Sequence, residues 1–212
     1  MTNRSVMKKK ETSHRESKRE REILEAARVL FSKKGYSDTT LQEIAERVGI
    51  TKGTIYLYFQ NKEDLIASVI EEEVQKLLDD LTKIKNADMP VDRMLTEMIL
   101  KILERLGRKR EIYRLLNPDV VRMTPSLRKV FKKRLRPFFE RGIEVIQETL
   151  DEGIEEKVFK PMDSFKVANI LQAMVIGLLR SWALGARVKE EDRELLKNLI
   201  LTGIMKAHGG SR

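Results

Sequence analysis

Thr40-Leu-Gln-Glu-Ile-Ala45-Glu-Arg-Val-Gly49-Ile-Thr51-Lys-Gly-Thr-Ile55-Tyr-Leu-Tyr-Phe59 reads as two short helices joined by a tight turn. Thr40 with Glu43 forms a capping box, which starts a helix at Leu41. Leu41, Ile44, Ala45 and Val48 recur at helical spacing and give that helix one apolar face. Gly49 follows, where a helix-turn-helix needs a residue that accepts positive φ. Thr51 is placed to cap a second helix, whose inner face is Ile55 and Phe59. Ala45 matters through its size: a larger side chain would push two closely crossing helices apart.

The second helix carries the chemistry. Lys52, Gly53, Thr54, Tyr56 and, further round, Leu57 and Tyr58 fall on its outer side. A helix start presents unpaired N–H groups that suit a phosphate, and Lys52 adds a full charge there. Gly53 allows close approach of a backbone or base. Three hydroxyl side chains, two of them aromatic, compose a surface suited to a DNA major groove. Leu57 has two open readings, contact with a thymine methyl or plain exposure.

Residues 17 to about 76 resemble the DNA-binding domain of the TetR (tetracycline repressor) family. The matching segments are Ile23-Leu24-Glu25-Ala26-Ala27, Leu30-Phe31-Ser32-Lys33-Lys34-Gly35-Tyr36, Thr39-Thr40, Ile44-Ala45, the run Val48 to Phe59, and Asn61-Lys62-Glu63-Asp64-Leu65. The resemblance implies an all-α protein. A three-helix helix-turn-helix domain is joined by a long fourth helix to a helical ligand-binding and dimerisation domain, about nine helices in all. It also implies a ligand-responsive transcriptional regulator, a repressor that binds palindromic double-stranded operator DNA as a homodimer. At matched positions it assigns DNA contacts to Thr40, Lys52, Gly53, Thr54, Tyr56, Tyr58 and Lys62. Thr40, Lys52, Tyr58 and Lys62 are expected at phosphates, and Gly53, Thr54 and Tyr56 nearer bases.

Composition agrees. The 212 residues are 41% hydrophobic and 35% charged, with a formal net charge of +9, which fits a globular chain with a polyanionic partner. Residues 1–60 hold 13 Lys/Arg and 8 Asp/Glu, so the charge is densest at the motif-bearing end. There is no cysteine, which removes disulfides, zinc fingers and thiol catalysis. The two histidines, His14 and His208, lie near the termini. An all-helical enzyme would need an acid, base, nucleophile or metal set, and none stands out, so no catalytic residue, metal or cofactor is assigned. A constitutive DNA binder without an effector is the other alternative; the long apolar C-terminal part disfavours it. No apolar run reaches membrane-span length and no signal-peptide pattern begins the chain, so a cytoplasmic protein is expected.

In order, residues 1–16 form a basic tail with Lys8-Lys9-Lys10, either solvated or lying along DNA. The helix-turn-helix domain covers 17–76, with the motif at 40–59, and the ligand-binding and dimerisation domain covers 77–212. Ser13 and Ser17 each start a capping box for helix 1, which ends at Gly35. Asn61 caps a helix to about residue 84, the mechanical link between the halves. Further helices are expected at 91–106, 109–117, 125–150 with a kink at Pro137, 163–186 and 189–206. Residues 152–162 form a loop.

The family places its ligand among these later helices, which points to Met98, Tyr113, Met174 and Trp182. Ordinary core is the competing reading, since methionine fills irregular gaps. A line of small residues, Ala173, Gly177, Ser181 and Gly185, permits close helix approach. With Leu199 and Ile200 it is the candidate dimer interface, or else it packs within one subunit.

Overall fold

The computed structural model describes residues 3–108, 125–183 and 190–205. Among them are nine helices: α1 Asn3–Lys34, α2 Leu41–Val48, α3 Lys52–Ile55, α4 Lys62–Lys85, α5 Val91–Arg108, α6 Pro125–Arg134, α7 Arg136–Glu155, α8 Ser164–Ala183 and α9 Glu190–Ile204. The extended pairing among the described residues is a single bridge between Phe159 and Met205. The chain divides into two compact units, Met1–Ile70 and Glu71–Arg212. The boundary falls inside α4, which runs through it unbroken.

In the first unit α1 packs on α2 and α2 on α3. Ile23, Ala27, Phe31, Ile44, Ala45 and Ile55 are almost wholly excluded from solvent. Burying a side chain such as Ile55 contributes roughly 1.5–3 kcal/mol. The Gly35 N–H bonds the Phe31 carbonyl at 2.9 Å, and Gly35 takes φ 82°, so α1 stops where a left-handed residue is available. Its other end differs from the expected tail and from both serine starts. The helix begins at Asn3 and runs through Ser13 and Ser17. No Gly or Pro occurs between Asn3 and Lys34, and Lys, Arg, Glu and Met are good helix formers, so nothing local stops it.

In the second unit α7 packs on α5, α6 and α8, and α9 packs on α5. The expected single helix from 125 to about 150 is two. Pro137 sits in the first turn of α7 and lacks the N–H that would bond back across Leu135, so the break falls there. The helix expected at 109–117 lies outside the described residues. Ion pairs that hold α4 against its neighbours include Arg134 with Glu71, Arg105 with Asp80 at 2.6 Å, and Lys85 with Glu152. Arg134 reaches Glu71 with both Nε and Nη2, a fork that fixes orientation as well as charge.

The end of α7 also departs from expectation. Gly153 lies inside the helix, and the left-handed residue is Lys157, at φ 62°. Gly153 is small because the Phe159 ring lies on it: a Cβ there would stand 2.2 Å from Phe159 Cδ2. Its carbonyl accepts from the Phe159 N–H at 2.8 Å, which folds the chain back over α7. Gly153→Ala is therefore expected to lower stability by about 1–3 kcal/mol through overpacking. Gly142→Ala, in the same helix with no atom within 4 Å of the added carbon, is expected to raise it slightly. Urea denaturation of the two variants checks both directions.

Candidate functional site

The helix-turn-helix is built by local hydrogen bonds. Thr40 Oγ1 accepts from the Glu43 N–H at 3.2 Å, and the Thr40 N–H donates to Glu43 Oε2 at 2.9 Å, completing the capping box. Gly49 closes α2 at φ 73°, and the Ile50 N–H reaches the Ala45 carbonyl at 3.0 Å. Thr51 caps α3 by accepting from the Thr54 N–H at 3.2 Å. Ala45 and Ile55 are fully buried and Phe59 nearly so, which sets the inner face of α3.

The second helix is shorter than the expected run to Phe59. It holds four residues, Lys52–Ile55, and continues as a tight turn in which Leu57 N–H bonds Thr54 O and Tyr58 N–H bonds Ile55 O. Gly53, a β-branched pair at Thr54 and Ile55, and Tyr56 are weak helix formers, which accounts for the tightening. Four residues sum to little dipole, so the anion argument rests on Lys52 and the hydroxyls rather than on the helix start.

The residues expected on the outer surface differ in exposure. Lys52 and Gly53 are exposed, Tyr56 is 49% exposed and Leu57 81% exposed, with Tyr58 half-buried. The Lys52 ammonium lies 5.9 Å from the centre of the Tyr56 ring. Thr54 is half-buried, its hydroxyl 2.9 Å from that of Thr51. The Thr40 hydroxyl is shared with Glu43.

Lys62, expected at a phosphate, is engaged within the protein. Its Nζ donates to the Ser37 carbonyl at 3.2 Å and lies 4.3 Å over the Tyr36 ring. Burial pushes its ammonium below the ordinary lysine range. Burial, with Glu63 beside it, raises the Tyr36 phenol well above its usual range. Lys62 thus ties the start of α4 to the loop before α2. Its hydrogen-bond partner lies 25 residues back, beyond any local pattern.

The second unit holds a cavity of about 980 Å³. Its walls come from α4 (Val74, Leu78), α5 (Met98, Ile102), α6 and α7 (Phe131, Leu135, Ile146), α8 (Met174, Leu178) and α9 (Leu196, Ile200). Met98 and Met174 therefore meet at one space. Tyr113 and the Trp182 side chain lie outside the described residues, as does Gly185. Of the expected interface, Ala173 and Gly177 are exposed, Ser181 is half-buried and Leu199 is 61% exposed, whereas Ile200 borders the cavity. Sequence reasoning missed the aliphatic wall of α4 and three cations on the cavity border, Arg128, Lys132 and Arg136. Their signal was a run without acids from Pro125 to Phe139.

These features define a helix-turn-helix DNA-binding protein with a separate helical unit. Residues 23–69 match the family model of bacterial regulatory proteins, tetR family. The transcriptional regulator AcrR of Shigella flexneri is 29% identical over 187 residues, which span 84% of this chain and 86% of AcrR. The fatty acid degradation regulator FadR from Bacillus halodurans superposes with a TM-score of 0.72 at 21% identity, covering 92% of this chain and 96% of that one. FadR from Bacillus subtilis, solved with stearoyl-CoA, gives 0.70 at 21% identity over 85% and 95%. Residues 23–69 thus match the helix-turn-helix domain of the tetR family of bacterial regulatory proteins, and along most of its length the chain is similar to transcriptional regulators, not enzymes.

One carboxylate links the motif to pH. Glu43 is held at about 2, below its ordinary 4.5, by the Lys34 ammonium, then by the Thr40 N–H and hydroxyl. The folded value is the lower one, so these contacts favour folding above about 4.5 and are lost as pH falls toward about 2. The stability gap between wild type and Glu43→Gln is expected to close over that window, read by thermal melts at successive pH values.

Proposed function

We propose that this regulator is ligand-responsive: a homodimer that binds a palindromic operator as a repressor and is released by a small effector held in the second unit. The observation that carries this is one chain joining a helix-turn-helix to a separate apolar cavity of about 980 Å³, at the upper end of the roughly 300–1,000 Å³ usual for small-molecule sites. The fold's likeness to a regulator solved with stearoyl-CoA supports the same reading of the cavity. Met98 and Met174 are the effector-contacting methionines, with Tyr113 and Trp182 retained from the sequence. The regulator acts in the cytoplasm, where DNA and metabolites meet; among the described residues no helix is long and apolar enough to cross a membrane.

On DNA, Lys52, Thr40 and Tyr58 take phosphates, Gly53, Thr54 and Tyr56 face bases, and Lys62 positions α4. A dimer with three or four phosphate contacts per half neutralises roughly 6–8 phosphates, so log K falls with log salt at a slope near −5 to −7. Lys52→Ala is expected to weaken binding to all sequences alike and to flatten that slope. Tyr56→Ala is expected to lose discrimination as well, by roughly 1–3 kcal/mol. Titrations of selected and random duplexes at several salt concentrations separate the two, and equal losses on both duplexes for Tyr56→Ala would remove it from base reading.

For the dimer, Ile170, Leu195 and Leu199 are each well over half exposed on α8 and α9, beside exposed Ala173 and Gly177. An uncovered apolar face of this kind marks an interface, and a second copy covers it with two-fold symmetry. A Cβ on Gly177 meets nothing within 4 Å in one chain. Gly177→Leu is therefore expected to keep the fold, to clash only across the dimer, and to sediment as a monomer that binds single half-sites weakly. A dimeric Gly177→Leu protein would move the interface elsewhere.

A further inference from the structure

Pro125 to Phe139 hold six Lys/Arg and no Asp/Glu. Arg134 is used against Glu71. Arg128, Lys132 and Arg136 recur every four residues and all border the cavity. The same border carries Glu140 and Glu144, and both are matched: Arg136 Nε donates to Glu140 at 2.6 Å and Arg141 Nη1 to Glu144 at 3.0 Å. Arg128 and Lys132 have no acidic partner among the described residues. Most of the remaining lining is aliphatic and aromatic, with Leu78, Met98, Phe131, Leu135 and Met174 among it.

We propose that the cavity takes an anionic amphiphile, its aliphatic chain among these apolar side chains and its negatively charged head at Arg128 and Lys132. This rests on reading the cavity as the effector site and goes further by naming the ligand's charge and the residues that select it. An excess of one sign at the edge of an apolar space concentrates the opposite charge there. A purely apolar effector gains nothing from these cations, and a cationic one is repelled. The apolar part predicts affinity rising about fourfold per methylene, the equivalent of one buried CH₂. The charged part predicts a preference for anionic heads that salt weakens.

The probes are laurate, lauroyl-CoA and 1-dodecanol, which share a chain length and differ in the head. Calorimetric affinity and release of a duplex selected by the full-length protein are read for each. At low salt at least one of the anions is expected to bind about tenfold tighter than dodecanol, the scale of two exposed ion pairs. The double substitution Arg128→Gln with Lys132→Gln is expected to bring the anions down to the dodecanol level. Lauroyl-CoA ahead of laurate assigns a phosphate-bearing carrier, and the reverse order assigns a free carboxylate. Dodecanol binding and releasing DNA as well as the anions do would overturn the headgroup site while leaving the effector cavity standing. An anion preference that survives the double substitution would overturn it too. No binding by any of the three overturns both readings together.

Discussion

The closeness of α2 and α3 at Ala45 is the constraint on which the DNA-reading surface depends. Ala45 and Ile55 are both fully buried, and the Ala45 carbonyl accepts the N–H that begins the link to α3. Gly49 makes the turn possible, because an L side chain at φ 73° is strained. A longer side chain at position 45 would displace α3 as a body, carrying Lys52, Tyr56 and Leu57 with it. Ala45, Gly49 and Ile55 thus set where the outward residues point. The caps at Thr40 and Thr51 then fix each helix start locally, so little of the arrangement waits on distant contacts.

That locality is why the helix-turn-helix could be read from sequence and the walls of the cavity could not. Thr40 with Glu43, Gly49 and Thr51 act on neighbours within a few residues, and each does in the structure what its position implies. The failures all involve longer range or competing propensities. The Ser13 and Ser17 boxes lose to an uninterrupted run of helix formers. Lys62 looks like a free cation until Ser37 and Tyr36 are folded against it. Gly153 falls in the stretch expected as a loop, and is instead a helical residue that seats Phe159. The cavity needs five or more elements placed before any methionine can be assigned to it, so Met98 and Met174 were visible only as large apolar residues. The cations at Arg128 and Lys132 were equally hidden, because a charge run ordinarily means a solvated face.

The second unit has a physical problem of its own. A cavity of about 980 Å³ forfeits the dispersion contacts that close packing would supply. Its walls must therefore be held by something other than each other. The ion pairs that tie α4 to α5, α6 and α7 supply such a hold. Partly exposed pairs contribute little net stability. Their value is geometric: they fix α4 in register with three partners while its apolar side faces open space. Thr149 adds a buried polar point, donating to the Val145 carbonyl at 2.9 Å with Met98 Sδ at 3.7 Å.

Helix α8 joins these considerations. An isolated surface helix shows one apolar stripe, and a helix apolar on several sides has several partners. On α8, Met174 and Leu178 face the cavity, while Ile170, Ala173 and Gly177 are exposed. Met174 and Ala173 are consecutive residues of one rigid helix, so a displacement of the first is a displacement of the second. In the proposed dimer, a ligand that favours one position of Met174 therefore favours one packing of the two-fold face. Under the proposed function linkage makes the effect reciprocal: whatever favours one packing of that face favours one cavity shape as well. The small residues at 173 and 177 sharpen this coupling. Side chains that short leave little flexible material between backbones, so a shift of the helix is passed to its neighbour rather than absorbed.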